Sequence, residues 1–201
     1  MSEELVNADI RLAKTLPSEF YTDEAHFEAQ RNAFRTTWQF MGASSQFMSA
    51  VSPLPHLDAL LGEPFVRTND GDEARVLSNV CTHRGMVMCH EETDKKTLQC
   101  PYHGRTFGCD GQMKHMPGFD EALNFPTAAD HLPVFRHANW NGFEFMTMDA
   151  EVDLNAVLQP VQDRIGWFLN GLQYDASRDR DWDIAAHWML YVDNYLEGFH
   201  I

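Results

Sequence analysis

Two short stretches of the chain carry side chains that bind soft metals. The first reads CTHRG over Cys81–Gly85, and the second reads CPYHG over Cys100–Gly104. Each stretch supplies one cysteine thiolate and one histidine imidazole, followed by a glycine that lets the backbone turn tightly. Together they form the pattern Cys-x-His, 16 residues, Cys-x-x-His, which offers two sulfur and two nitrogen ligands.

This mixed donor set suits a [2Fe–2S] cluster of a particular kind. Replacing two thiolates on one iron by neutral imidazoles removes negative charge from that iron and raises the reduction potential of the cluster. Such a site takes one cysteine and one histidine from each of two loops. We therefore predict that the cluster ligands are Cys81, His83, Cys100 and His103.

A structural zinc site with two cysteines and two histidines is the alternative. Zinc fingers usually place both cysteines on one knuckle and both histidines on a helix, whereas each stretch here is mixed. The cluster is the favoured interpretation, and a zinc-stabilised binding module without redox activity stays open.

The two stretches also carry a family resemblance. CTHRG followed by CPYHGRTFG resembles the Rieske signature of the non-heme iron ring-hydroxylating oxygenases, and DNYLEGFH over Asp193–His200 is similar to the opening of that family's mononuclear iron motif. The resemblance covers most of the chain and implies the N-terminal part of an α (large) subunit. The implied fold is α+β: an antiparallel β Rieske domain with flanking helices, then the start of a second catalytic domain of the helix-grip type.

The same resemblance implies roles for two residues near the C-terminus. His200 would be the first ligand of a 2-His-1-carboxylate Fe(II) site, and Glu197 would bridge the Rieske histidine of one subunit and the iron ligand of the next. Their spacing of three puts both on one helix face, although an ordinary helix start gives the same spacing. The remaining iron ligands would follow Ile201, so we expect the chain to be part of a longer α subunit.

The function implied by the resemblance is electron transfer to an oxygen-activating iron. A reductase or ferredoxin would reduce the [2Fe–2S] cluster, and the mononuclear Fe(II) would activate O2 to hydroxylate or demethylate a small organic substrate of the aromatic-ring or quaternary ammonium type. The full-length protein would be a homotrimer or a hetero-oligomer. A stand-alone Rieske ferredoxin, an electron carrier with no substrate, is the alternative.

Composition limits the other partners. The net charge is −15, from 15 basic and 30 acidic residues, which argues against nucleic acid or an anionic membrane as the main partner. No apolar run reaches the length of a membrane span, and the N-terminus is too acidic for a signal peptide. We expect a cytoplasmic protein in which Cys89 and Cys109 are incidental thiols rather than a disulfide.

Several basic residues lie in or near the two metal-binding stretches, which suggests a positive rim where an acidic redox partner docks. The proposed rim consists of Arg84, Lys95, Lys96, Arg105 and Lys114.

Arg105 stands where many members of the resembled family have Trp, and we expect it on the loop surface. Arg105 and Phe107 also replace a Ser and a Tyr that donate hydrogen bonds to the cluster in Rieske proteins of the respiratory type. Because these donors are missing, we expect a reduction potential toward the lower end of the Rieske range.

Hydrophobic and turn patterns divide the chain into three predicted regions. Residues 1–42 form a helical segment, with an amphipathic helix over 23–40, which by the resemblance packs with the catalytic domain. Residues 43–150 form the Rieske domain. Residues 151–201 form a linker helix and the incomplete start of the catalytic domain.

Within these regions, Asn69–Asp72 and Asp110–Gly111 predict hairpin turns, and residues 116–141 are expected to be irregular because prolines interrupt them. Pro160 is expected at the first position of a second helix after residue 153. Strands are predicted over 46–51, 64–68, 74–80, 97–100, 105–109, 112–115, 142–148, 172–177 and 182–192.

Overall fold

The computed structural model describes residues 6–169 and 171–196, which fall into two compact units. The larger unit comprises residues 33–175, and the smaller one comprises residues 6–32 with 176–196. The boundaries predicted after residues 42 and 150 stay predictions. None of the helices in the described ranges is long and apolar enough to cross a membrane.

The larger unit is built on an antiparallel sheet of six strands. In order across the sheet the strands are β1 (Gln39–Ala43), β9 (Phe143–Thr147), β8 (Val134–Trp140), β4 (Ala74–Ser78), β3 (Phe65–Asn69) and β2 (Val51–Pro53).

A second, three-stranded sheet carries one of the predicted metal-binding loops. It consists of β5 (Thr97–Gln99), β6 (Thr106–Gly108) and β7 (Met113–His115), which pair in that order. The loop containing Cys100 joins β5 to β6, and the loop containing Cys81 follows β4. Both cysteines belong to a buried cluster that also contains Leu77, Leu98 and Phe107, so the two loops start from one shared core.

Residues 6–169 and 171–196 also contain five α-helices, which together with the antiparallel strands confirm the expected α+β class. They are α1 (Glu19–Thr22), α2 (Glu24–Arg35), α3 (Pro55–Leu61), α4 (Leu154–Leu169) and α5 (Trp188–Leu196), with 3₁₀ turns at Ser44–Gln46, Ala128–Asp130 and Ala176–Arg178.

Most of the strands that surround the ligand loops are confirmed. Those predicted at 64–68, 74–80, 97–100, 105–109, 112–115 and 142–148 lie within two residues of the observed bounds. The Asn69–Asp72 turn joins β3 to β4 as predicted. The Asn69 side chain accepts a hydrogen bond from the Gly71 amide at 2.8 Å, and Gly71 has a φ of +106°, which glycine adopts without steric cost.

The amphipathic helix predicted over 23–40 is too long. It corresponds to α2, which ends at Arg35, and the predicted range runs into β1, which begins at Gln39. Pairing of Gln39–Ala43 with β9 supplies hydrogen bonds between strands that helical periodicity does not reveal. The strand predicted at 46–51 is also wrong, because a 3₁₀ turn precedes β2, which starts at Val51.

Two interpretations of proline-containing segments fail. The segment 116–141, expected to be irregular, includes the seven-residue strand β8 directly after Pro133. Pro160 lies inside α4 rather than at the start of a second helix. Proline removes one backbone donor from a helix interior, and α4, with 16 residues, is long enough to keep its other bonds.

The last two predicted strands are also wrong. The range 172–177 contains the start of a 3₁₀ turn, and 182–192 contains the first turns of α5. His187 precedes α5, and its Nδ1 accepts a hydrogen bond from the Met189 amide at 3.2 Å. An acceptor placed there satisfies one of the free amides of the first helical turn, which favours a helix over a strand.

A buried ion pair links distant strands of the six-stranded sheet. Arg67 on β3 donates two hydrogen bonds to Glu144 on β9, at 2.6 Å and 2.9 Å, and both side chains are buried. Two strands lie between β3 and β9, which in a flat sheet would put them about 14 Å apart. The pair therefore spans the inner face of a curled sheet.

Substituting Arg67→Met should lower the free energy of unfolding by about 3–5 kcal/mol, because it leaves the buried Glu144 carboxylate without its cation. Lys114→Met, at an exposed pair with Asp110, should cost less than about 1 kcal/mol. Urea denaturation of the two variants checks this. Equal costs would show that the buried pair contributes no more than the exposed one.

The Arg67–Glu144 pair also makes the free energy of unfolding depend on pH under acidic conditions. Burial alone would raise the pKa of Glu144 above its ordinary 4.5, but hydrogen bonds from His137 and then Arg67 outweigh it and lower the pKa to about 2. A lowered pKa means that this stability is complete above pH 4.5 and is lost as the pH falls toward about 2. Denaturation from neutral to acidic pH should therefore show the gap between wild type and Glu144→Gln narrowing in that window. A gap that does not change with pH would contradict the assignment.

Candidate metal centre

The two ligand loops have the same backbone hydrogen bonds. In the first loop (residues 81–86), the Cys81 amide donates to the Met86 carbonyl at 2.8 Å, and the Gly85 amide donates to the Cys81 carbonyl at 3.0 Å. The second loop (residues 100–105) repeats both bonds at the same offsets, from Cys100 to Arg105 at 2.8 Å and from Gly104 to Cys100 at 3.0 Å. The loops are thus two copies of one turn.

Glycine at the fifth position of each loop makes this turn possible. Gly85 has a φ of +70° and Gly104 a φ of +77°, a region that residues with a Cβ rarely adopt. A Cβ added to Gly104 would also lie 3.2 Å from the ring of Pro117. The glycines noted in the sequence are therefore required by backbone conformation.

The four predicted ligands separate into a pair of thiols and a pair of imidazoles. Cys81 and Cys100 are both buried, with 2% and 3% of their surface exposed, and their side chains interact with each other. The rings of His83 and His103 meet edge to face, with centroids 4.9 Å apart. All four come from loops that are far apart in sequence, and the fold brings them together.

This arrangement fits a [2Fe–2S] cluster that has two sulfur ligands on one iron and two nitrogen ligands on the other. Within residues 6–169 and 171–196, no group of three or more His, Cys, Asp or Glu side chains could hold one metal ion. Instead, the two thiols form one pair and the two imidazoles form a neighbouring pair, which matches a centre with two metal ions.

The electrostatics of the first loop favour a neutral Cys81 and a neutral His83. Burial raises the pKa of the Cys81 thiol, and the neighbouring Cys100 raises it further. Partial desolvation, and next the nearby His103, lower the pKa of His83. A neutral imidazole has a free lone pair for a metal, whereas each thiol must lose its proton when a metal binds.

The two pairs differ in their access to solvent. The thiols lie in the core, His83 is half-buried, and His103 is exposed. Tyr102, itself exposed, stacks on His103 with ring centroids 3.8 Å apart. The imidazole side of the centre therefore faces the surface, where a redox partner could approach.

Arg105 was placed wrongly by the sequence interpretation. It is buried rather than on the loop surface, and it donates hydrogen bonds to Thr82 at 2.7 Å and to Asp130 at 3.2 Å. A signal was available, because many members of the resembled family have the large apolar Trp there, which is typical of a covered position.

The positive rim is smaller than predicted. Arg105 is buried, Lys114 pairs with Asp110, and Lys96 donates to the Asp70 carbonyl. Arg84 and Lys95 are exposed, as the rim requires.

The remaining predicted site residues have different outcomes. Glu197 and His200 lie outside the described residues. Cys89 and Cys109 are free thiols, as expected, and so are the two ligand cysteines. The Cys89 thiol contacts the Glu91 carbonyl at 3.0 Å.

Comparison with known proteins gives a consistent set of similarities. Residues 37–135 match the model of the Rieske [2Fe–2S] domain. The chain is 30% identical over 199 residues to the oxygenase subunit of carnitine monooxygenase from Escherichia coli K12, covering 94% of the chain and 51% of that protein. It is 26% identical over 200 residues to chloroplastic choline monooxygenase from Beta vulgaris, covering 94% and 44%.

The fold is also similar to that of a solved quaternary ammonium Rieske monooxygenase, CntA. The structure of that enzyme gives insight into carnitine oxidation and inter-subunit electron transfer. The TM-score is 0.80 at 26% identity, over 94% of this chain and 52% of that one. The chain spans about half the length of the curated relatives it matches.

Cysteine substitutions test the ligand assignment. Cys81→Ser or Cys100→Ser should reduce bound iron to background, because serine does not replace a thiolate in such a site. Cys89→Ser and Cys109→Ser are the matched controls and should retain iron, measured per chain after purification. Iron retained in the first two variants, or lost equally in all four, would contradict the assignment.

Proposed function

We propose that this chain transfers electrons through a [2Fe–2S] cluster to a mononuclear iron that activates O2. The chain belongs with the Rieske oxygenase α subunits and corresponds to their N-terminal part. The observation that carries this proposal is the separation of two buried thiols from two imidazoles that meet nearer the surface.

We infer that Cys81 and Cys100 would hold the cluster from its buried side and that His83 and His103 would hold it from the side nearer the surface. When bound, the cluster supplies one-electron transfer at a potential raised by its neutral nitrogen ligands. The buried cysteines keep their end of the site away from water. The exposed His103, stacked against Tyr102, would present the imidazole side of the site to a redox partner.

The substrate is inferred to be a quaternary ammonium compound. The relatives named above are carnitine and choline monooxygenases, and the similar structure is a quaternary ammonium monooxygenase. These similarities favour the quaternary ammonium alternative over the aromatic-ring alternative left open by the sequence. The Fe(II) site at His200 and the bridging role of Glu197 stay proposals, since both residues lie outside the described ranges.

The proposed partners follow the same reasoning. A reductase or ferredoxin would supply electrons, and the description of CntA includes electron transfer between subunits, which supports an oligomer of the whole protein. We propose that Arg84 and Lys95 form the remaining positive rim for an acidic electron donor. The cytoplasmic location and the trimeric or hetero-oligomeric state stay predictions.

The stand-alone ferredoxin is a weaker alternative. The similarity to oxygenase subunits extends over 94% of the chain, well beyond residues 37–135 that match the Rieske domain. An electron carrier needs neither the segment before that domain nor the helices α4 and α5 after it.

Metal analysis with spectroscopy tests the proposal. The purified chain should contain about two irons and two acid-labile sulfides, be reddish brown, and give a rhombic electron paramagnetic resonance signal when reduced. A colourless protein with one zinc per chain would establish the zinc-stabilised module instead.

A redox titration tests the type of cluster. With Phe107 in place of the hydroxyl donor of the respiratory type, the midpoint should lie toward the lower end of the range of about −150 to +300 mV known for these centres. The titration is followed by the visible spectrum. A midpoint near the upper end would indicate a cluster of the respiratory type.

A further inference from the structure

The geometry points to Arg105 as a positioning residue that ties the first ligand loop to the segment 116–133 and raises the reduction potential of the cluster through its charge. This inference rests on the proposed function. It starts from a side chain that is 4% exposed although it carries a permanent positive charge, a placement that is costly unless the charge is paired and hydrogen-bonded.

Arg105 contacts both structures that it is inferred to join. One guanidinium nitrogen donates to the Thr82 hydroxyl, which lies between Cys81 and His83 in the chain, and the other donates to the Asp130 carboxylate. Thr82 in turn donates to the Asp130 carbonyl at 2.9 Å. The three side chains form a closed set of contacts between the loop and the segment.

The segment 116–133, named here the strap, holds Asp130 in position for its contact with Arg105. Asp130 is held by the Thr127 amide and hydroxyl at 2.8 Å and 2.9 Å, which fixes one carboxylate oxygen and leaves the other for Arg105. The Phe125 ring lies with its centroid 5.5 Å from the guanidinium carbon, within the range of a cation–π contact. At the end of the strap, the Leu132 amide donates to the Gly111 carbonyl at 2.9 Å.

The charge of Arg105 lies close to the predicted ligands of both loops. Its guanidinium donates a hydrogen bond to Thr82, which stands between Cys81 and His83 in the chain, and Arg105 itself follows His103 by two residues. The Nε of Arg105 is buried and has no hydrogen-bond partner within the described part of the chain. No acceptor at this nitrogen therefore compensates the positive charge of the guanidinium. Reduction adds an electron to the cluster, and a nearby cation stabilises the reduced form.

Asp130 has the opposite charge and allows a test that separates charge from packing. Removing the cation with Arg105→Met should lower the midpoint potential, whereas removing the anion with Asp130→Asn should raise it. Each change should alter the redox equilibrium constant roughly three- to tenfold, where tenfold is about 59 mV for a one-electron couple. Arg105→Lys keeps the charge and should stay closer to wild type than Arg105→Met.

A side chain that only fills space would not give shifts of opposite sign. Shifts in the same direction for Arg105→Met and Asp130→Asn, or no shift in either, would overturn the electrostatic part of the inference. If Arg105→Met assembles no cluster, Asp130→Asn against wild type carries the test, and an unchanged or lowered midpoint potential in that variant would overturn the electrostatic part.

The tie itself is tested in the purified chain by amide hydrogen exchange. Arg105→Met should speed exchange of the amides of residues 127–131 relative to wild type, and Lys114→Met, at a solvent-exposed pair, should not. Unchanged exchange in Arg105→Met would overturn the inference. This outcome is independent of the metal analysis, so it distinguishes failure of the tie from failure of the proposed function.

Discussion

The two ligand loops must meet closely enough for like donors to pair, and the rest of the larger unit serves that constraint. One loop extends from β4 of the six-stranded sheet, and the other joins β5 to β6 of the small sheet. They share a core in which both cysteines are buried beside Phe107 and Leu98. Packing of apolar side chains from two sheets thus fixes the distance between the two loops that carry the predicted metal ligands.

Polar interactions reinforce this packing at two places in the larger unit. The Arg67–Glu144 pair spans the curled six-stranded sheet, and Arg105 joins the first loop to the strap through Thr82 and Asp130. Both arginines are buried, and both have a carboxylate partner, which is the condition under which a buried charge is tolerated. The acidic composition of the chain therefore includes carboxylates with structural roles in addition to a solvated surface.

Much of the site could be predicted because local chemistry decides it. Ligand type and spacing identified the four candidates, and the glycines at 85 and 104 indicated turns that the structure confirms with positive φ angles. Strands next to strong turn signals, such as Asn69–Asp72, were also correct within two residues. Where tertiary contacts decide, prediction failed. Gln39–Ala43 is a strand because β9 pairs with it, and Arg105 is buried because Thr82 and Asp130 lie beside it. None of these three partners is close in sequence to the residue it contacts.

The central claim is that two imidazoles bind the same two-iron centre as two thiolates. The most direct measurement is pulsed electron paramagnetic resonance of the reduced chain, grown with ¹⁵N-histidine and otherwise natural nitrogen. We expect strong hyperfine coupling to two histidine nitrogens per cluster. A reduced cluster without coupling to a histidine nitrogen, or a metal centre that gives no signal because it is zinc, would contradict it.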